Sequence, residues 1–200
     1  MNRTVALTLS SIFHPVWVNL LGLLLLLFCS PYLSLVLQPM LMLFYVLFIF
    51  GTTALVPMLA VGVMKLTGHI QSIMLQEQEE RTIPYLVTAV MYLFDYYFLT
   101  HMHSAASIRA YVLACACIVV AVVIINHFYK ISIHGASLGA LTAIVVGVAH
   151  FSVIDIRYLL MGAFIISGVT LSSRLFLYAH TLTQVVTGWM LGFLIMYLIL

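Results

Sequence analysis

Histidine and arginine side chains stand at short spacings in the few polar stretches of this sequence. Arg174 and His180 share one such stretch, and His134 lies in another. Histidine can attack phosphorus or protonate a leaving oxygen, and arginine neutralises the charge of a phosphoryl group. The alternative to such chemistry is that these residues are ordinary charges that flank helix ends, because long side chains reach the membrane surface at little free-energy cost. Since ionisable groups are costly in a bilayer, we favour chemistry on an anion.

Three polar connections carry these residues, at 68–81, 129–134 and 173–180. Two apolar segments separate each connection from the next, so a chain that crosses a membrane back and forth returns all three to one face. That face collects Lys65, Arg81, Lys130, His134, Arg174 and His180. The other face has only Arg109, Asp155, Arg157, His101 and His103.

Three short patterns lie along these connections. The last is Ser173-Arg174, five residues, His180, three residues and Gln184. The middle one reads Lys-Ile-Ser-Ile-His over 130–134, and the first reads Glu-Arg-Thr-Ile-Pro over 80–84. In this order they resemble the signatures K-x6-R-P, P-S-G-H and SR-x5-H-x3-D of the type 2 phosphatidic acid phosphatase superfamily. The resemblance covers roughly residues 81 to 184, about half of the chain.

This resemblance implies a membrane-embedded phosphatase that needs no metal ion or other cofactor. It makes His180 the nucleophile that forms a phosphohistidine, and His134 the donor of a proton to the leaving oxygen. It assigns the substrate phosphate to Arg81, Ser132 and Arg174.

The chain departs from the family pattern at informative positions. Gln184 replaces the aspartate that orients the nucleophilic histidine, and Met74 stands where the first lysine is expected. Four residues apart on a helix, His180 and Gln184 share a face, so the amide oxygen can fix the tautomer of the ring. An amide does not stabilise an imidazolium as a carboxylate does, so hydrolysis is expected to be slow. Lys130 is a candidate replacement for the missing lysine.

The elements that must position these residues are predicted to be transmembrane helices. Hydrophobic residues make up 65% of the 200-residue chain and charged residues 6%, too few to cover a water-facing surface. Continuous apolar runs of about twenty residues favour helices over barrel strands. The sequence therefore predicts an all-α, polytopic transmembrane helix bundle of six to seven spans, forming a single integral membrane domain over residues 1–200.

Seven apolar segments are predicted, at 12–37, 40–66, 85–100, 105–128, 135–152, 158–172 and 180–200. Pro31 should bend or end the first, and Gly51 and Pro57 should kink the second. Pro84 should open the third, because proline is tolerated in the first turn of a helix. Small residues in the fifth and sixth segments predict close helix packing; they include Gly135, Ser137, Gly139, Gly162 and Gly168.

The function that this pattern favours is hydrolysis of a lipid or polyprenyl phosphate whose tail stays in the membrane. The resemblance implies a bacterial inner (plasma) membrane, and the net charge of +2 gives no reason to expect a nucleic-acid partner. One alternative is an inactive family member that binds a lipid phosphate. The other is an unrelated small-solute carrier, with Asp95, Asn126 and His150 along its path. Nearby tyrosine hydroxyls are expected to satisfy Asp95 if it is structural.

Overall fold

Helices form every regular element in the part of the chain that the structure describes. The computed structural model describes residues 2–70, 79–151, 155 and 157–200. The α-helices are α1 (Arg3–Ile12), α2 (Pro15–Cys29), α3 (Pro31–Val36), α4 (Pro39–Phe50), α5 (Val56–Leu66), α6 (Thr82–His101), α7 (Ala106–Phe128), α8 (Ile133–Phe151), α9 (Arg157–Phe176) and α10 (Leu182–Ile199). A π-helical segment spans Gly51–Leu55, and a 3-10 turn spans Glu79–Arg81.

The seven predicted segments are confirmed as helical over their described residues, but the first is broken. The chain bends by 44° between α1 and α2, where the sequence predicted one apolar run from residue 12. Pro15 is the first residue of α2, and Pro31 begins α3 one residue after α2 ends. Both prolines occupy first-turn positions, where the missing N–H leaves no helical hydrogen bond unmade.

The predicted kink in the second segment takes the form of a π-helical turn. Gly51–Leu55 is π-helical and lies just before Pro57, the second residue of α5. Proline lacks an N–H and its ring crowds the preceding turn, and an extra residue in that turn relieves the crowding. The three pieces together form one apolar helix of 28 residues, Pro39–Leu66.

Among the described residues, five helices are long and apolar enough to cross a membrane, or six if α1 and α2 count as one bent span. The five are Pro39–Leu66, Thr82–His101, Ala106–Phe128, Arg157–Phe176 and Leu182–Ile199. Their large apolar side chains remain exposed in many places, as expected of surfaces that lipid covers.

The helices group into two compact units. Unit 1 contains Met1–Met42 and Ile131–Leu200, and unit 2 contains Leu43–Lys130. Unit 1 therefore brings together the N-terminal helices and the last three helices, while unit 2 holds the middle of the chain. The single domain predicted from the sequence stays a prediction.

In unit 1, α8 is the central helix and packs against α2, α9 and α10. Glycines let α8 and α10 meet backbone to backbone: Gly135 and Gly139 on α8 face Gly188 and Gly192 on α10. A Cβ on Gly135 would lie 2.6 Å from the carbonyl oxygen of Val185, and one on Gly139 would overlap the carbonyl oxygen of Trp189. Val18 of α2 packs with Leu138 and Leu141 on another side of α8.

The prediction about small residues therefore holds for the glycines of α8 and for the buried Ala163 and Ser167 of α9, but not for the two glycines of α9. Gly162 and Gly168 of α9 have open space where a side chain would stand. The partner of the α8 glycines is α10, whose own glycines follow the same four-residue spacing. Both helices thus carry the small-xxx-small pattern that allows transmembrane backbones to approach closely.

In unit 2, α6 packs against α7 and against the long helix that contains the π-helical turn. Aromatic rings line the second contact, with Phe48 and Phe98 at a centroid distance of 4.8 Å. Asp95 lies in the same region, fully buried, and Thr52 of the π-helical turn donates a hydrogen bond of 2.7 Å to its Oδ2.

Candidate anion site in unit 1

The site is built around the connection between α9 and α10. α9 ends in a Schellman motif: the N–H of Ala179 bonds the carbonyl of Arg174 at 3.1 Å, and that of Tyr178 bonds the carbonyl of Leu175 at 3.0 Å. Tyr178 takes the left-handed conformation that this motif requires, with φ of 53°. The turn reverses the chain within a few residues, and His180 follows it with its side chain buried.

Gln184 fixes the orientation of His180. Its Oε1 accepts a hydrogen bond from the backbone N–H of Thr181 at 3.0 Å, as part of a capping box that starts α10. A backbone N–H can only donate, so the atom that faces Thr181 must be the amide oxygen. The same Oε1 lies 3.3 Å from Nδ1 of His180.

The tautomer of His180 follows from this geometry. An amide oxygen only accepts, so Nδ1 of His180 carries the proton that Gln184 binds. In the neutral ring the lone pair is then on Nε2, which is the arrangement that a nucleophilic histidine needs. The contact between Gln184 and the His180 ring that the sequence predicted is therefore present, and the catalytic role of Gln184 stays a prediction.

His134, at the start of α8, has its proton on the other ring nitrogen. Its Nε2 lies 3.3 Å from the backbone carbonyl oxygen of Ser10 and 3.5 Å from the Ser10 hydroxyl. Because a carbonyl oxygen only accepts, Nε2 of His134 is the donor. His134 is buried, only 7% exposed, and the charge of Arg174 and the charged forms of His14 and His180 act on its ring.

Arg174, in the last turn of α9, donates from Nη1 to the hydroxyl oxygen of Ser10 at 2.9 Å. Ser10 belongs to α1, which packs against α9. The two oxygens of this one residue thus receive donors from two residues that the sequence assigned to the phosphate, Arg174 and His134. His134 and Arg174 therefore meet at Ser10 of α1, and His180 is close enough to act electrostatically on the His134 ring, so these residues form one cluster.

Ser132 occupies the N-cap position before α8. Its hydroxyl oxygen accepts the N–H of Gly135 at 3.2 Å, and its own N–H bonds the backbone carbonyl of Gln184 at 3.3 Å. The first bond caps α8, and the second joins the start of α8 to the start of α10. His134 and His180, which lie at these two helix starts, are thereby held near each other. Ser132 is fully buried, and its predicted contact with phosphate stays a prediction.

His14 joins the cluster from the bend between α1 and α2. Its ring lies edge-on to that of His134, with a centroid distance of 5.5 Å and an interplanar angle of 89°. Its Nδ1 accepts the N–H of Val16 at 3.4 Å and so caps α2. The charge of Arg174 acts on this ring as well.

No acidic side chain of unit 1 belongs to this cluster. The only Asp or Glu in the unit's sequence is Asp155, which is exposed and pairs with Arg157 at 2.7 Å. This pairing lowers the pKa of the Asp155 carboxyl, because the Arg157 guanidinium and backbone N–H both donate to it. Among the described residues, no group of three or more His, Cys, Asp and Glu is arranged to hold a metal ion. Within unit 1 the ionisable members of the cluster, Arg174 and three histidines, are groups that can be cationic, which suits an anionic ligand.

Two residues that the sequence assigned to the phosphate belong to unit 2. Arg81 ends the 3-10 turn before α6 and is buried, and Lys130 follows α7 and is half-buried. Met74, the position of the missing lysine, lies outside the described residues. The assignment of Arg81 and Lys130 to the phosphate stays a prediction.

The residues named for a carrier also fall in different places. Asp95 and Asn126 are buried in α6 and α7 of unit 2, while the side chain of His150 lies outside the described part of α8. A tyrosine hydroxyl was expected to bond Asp95. In the structure, the hydroxyl that donates to Asp95 is that of Thr52 instead.

Sequence reasoning missed Ser10 and His14. The pair His14-Pro15 carried a usable signal, because a polar N-cap followed by proline at the first helical position marks the start of a helix. That signal would have divided the first segment and placed a histidine at the division. Ser10 gave no comparable signal, since a serine in a helix usually bonds its own backbone.

Comparisons of the chain with protein-family models, with curated proteins and with solved structures find no match. The site must therefore be interpreted from its own geometry.

Proposed function

We propose that the protein is a membrane-embedded phosphatase that hydrolyses a lipid or polyprenyl phosphate through a phosphohistidine on His180. The observation that carries this proposal is the pair of histidines with opposite proton positions beside an arginine. His180 has its lone pair on Nε2, and His134 has a proton on Nε2. Nucleophile and acid are the two roles that a two-step phosphate hydrolysis requires.

In the first step Nε2 of His180 attacks phosphorus, a P–N bond forms and the P–O bond to the lipid breaks. Protonated His134 gives its Nε2 proton to the leaving oxygen and becomes neutral. The negative charge of the phosphate favours that protonated form of His134, and Arg174 offsets the charge on the phosphoryl oxygens.

In the second step water attacks the phosphohistidine, and neutral His134 takes the proton that the water loses. The P–N bond breaks, inorganic phosphate leaves and His180 regains its Nε2 lone pair. In the phosphohistidine intermediate, positive charge spreads over the His180 ring, and its Nδ1–H remains hydrogen-bonded to Gln184. An amide dipole stabilises this charge less than a carboxylate does, so we expect a slow enzyme.

The apolar helices support a membrane location, and we propose six to seven spans in a bacterial inner membrane. α8 supplies the additional span. Its apolar part, Ile133–Val148, is shorter than the other candidates, but the helix is central in unit 1. The histidines lie at helix ends, where the headgroup of a lipid can enter while its tail stays among the helices.

A second candidate is a non-catalytic protein that binds a lipid phosphate. The observation that favours it is the capping box: Gln184 bonds the backbone of Thr181 whatever His180 does, so its presence does not require catalysis. The carrier stays a third prediction.

Phosphate release from a panel of lipid and polyprenyl phosphates, without added metal, tests the proposal. Purified wild-type protein should release phosphate from at least one substrate, His180→Ala should release none, and His101→Ala should behave as wild type. His101 is a matched control, because it is exposed and its contacts among the described residues are with Tyr97 of its own helix. Folded wild-type protein that releases no phosphate, yet binds it, would favour the second candidate.

A further inference from the structure

The two oxygens of Ser10 mark where an anion would bind. The hydroxyl oxygen accepts from Arg174 at 2.9 Å and the carbonyl oxygen accepts from His134 at 3.3 Å. These are the two donors that a phosphate would use. A phosphoryl group that replaces these contacts would place its oxygens in the same positions, because it offers the same donors several acceptors.

His14 stands next to these positions and is attached to a different element from Ser10. Its Nδ1 caps α2, and α2 is packed on α8 through Val18. Ser10 belongs to α1, beyond the 44° bend. His14 is therefore attached to the body of unit 1 independently of Ser10, so a phosphate that displaces Ser10 from Arg174 and His134 would leave His14 in place.

The chemistry of His14 suits a phosphate oxygen. Nδ1 accepts the N–H of Val16, so in the neutral ring the proton is on Nε2, and that nitrogen is a donor. The ring packs edge-on against His134 at 5.5 Å, and its side chain is exposed. An anion held by His134 and Arg174 can thus receive a third donor from His14.

We propose that His14 is a further phosphate-binding residue, which completes with His134 and Arg174 the anion site of unit 1. The proposal rests on the proposed function only in taking phosphate as the ligand. It does not require hydrolysis.

Binding of inorganic phosphate to the purified protein in detergent micelles, measured by isothermal titration calorimetry, tests this role. His14→Asn is the informative variant, because asparagine is among the preferred N-cap residues and keeps the cap on α2 while removing the ring. We expect His14→Asn to weaken binding about tenfold, as for the loss of one charge-assisted hydrogen bond. His14→Arg, which restores a cationic donor, should bind within about threefold of wild type.

His101→Asn is the control and should bind as wild type does. If His14→Asn also binds as wild type, His14 only caps α2 and the proposal is wrong. It is equally wrong if the wild type does not bind phosphate, or if His14→Arg binds no better than His14→Asn.

Phosphate release measured in parallel separates this inference from the proposed function. Release that depends on His180 but not on His14 would retain the phosphatase and reject His14. Phosphate binding that depends on His14, without release from any substrate, would retain His14 and reject the phosphatase.

Discussion

The two units bury polar groups in different ways. In unit 1, Ser10 of α1 contacts His134 of α8 and Arg174 of α9, which lie 124 and 164 residues away in the sequence. In unit 2, Asp95 is buried as a single acid and accepts one hydroxyl, from Thr52. The first arrangement directs several donors to one place, whereas the second satisfies one oxygen of one side chain.

This difference separates a candidate site from a single buried residue, of which one carboxylate oxygen accepts a hydrogen bond and the other has no partner among the described residues. Ionisable groups in apolar helices are functional candidates by default, so burial alone does not distinguish the two regions. The convergence of several donors does distinguish them, because donors from separate helices are brought together by the tertiary fold and not by local helix geometry. Unit 1 meets this criterion, and the described contacts of Asp95 do not.

The prediction with the largest expected effect compares one variant in each of these two regions. His134→Gln should reduce phosphate release by roughly 100-fold or more, because it removes the residue that we propose donates a proton to the leaving oxygen. Asp95→Asn, which keeps the shape of the buried side chain, should leave release within about twofold of wild type. Initial rates of phosphate release at saturating substrate measure both.

The reverse pattern would break the comparison. A large loss in Asp95→Asn together with a small loss in His134→Gln would transfer the functional site to unit 2 and favour the carrier.

The next effect tests whether the α8–α10 contact holds the site. Gly139→Ala should destabilise the protein by about 1–3 kcal/mol, because its Cβ would overlap the backbone of Trp189. Gly162→Ala on α9, where a Cβ meets open space, should change the stability by no more than about 0.5 kcal/mol. Thermal unfolding in detergent measures the difference. Equal stabilities of the two variants would show that the close approach of α8 and α10 is not needed.

The smallest effect sharpens the role of Gln184. Gln184→Glu keeps an oxygen for the Thr181 cap and adds a carboxylate beside His180. A charge-assisted bond is about twice as strong as a neutral one, so phosphate release should increase by roughly fivefold to tenfold. Single-turnover rates should show the increase in the step that forms the phosphohistidine. An unchanged rate would indicate that Gln184 serves only the capping box.

Much of the fold could be predicted because lipid-facing helices are continuous apolar runs. The ends of α7 and α10 agree with the predicted segments to within two residues. The helix α1 could not be found in this way, since its polar residues Arg3, Thr4 and Ser10 interrupt any apolar run. The sequence also did not predict that α10 packs against the α8 glycines, because a small-residue pattern indicates close packing but does not identify the neighbouring helix.

The candidate site was predictable only where a sequence pattern existed. Spacing located His134, Arg174 and His180, and the structure places these three in one unit. It did not locate His14 or Ser10, which join the cluster through the packing of α1 on α9 and of α2 on α8. Such contacts depend on the tertiary fold, and four-residue spacing along a helix gives no information about them.

The most direct test of the central claim is to identify the covalent intermediate. The protein is mixed for a short time with a 32P-labelled substrate from the release panel and quenched in alkali, which preserves phosphohistidine. We expect an alkali-stable, acid-labile label on His180 that is absent from His180→Ala and more abundant in Gln184→Glu. Phosphate release that continues in His180→Ala, or a label on any other residue, would contradict the account.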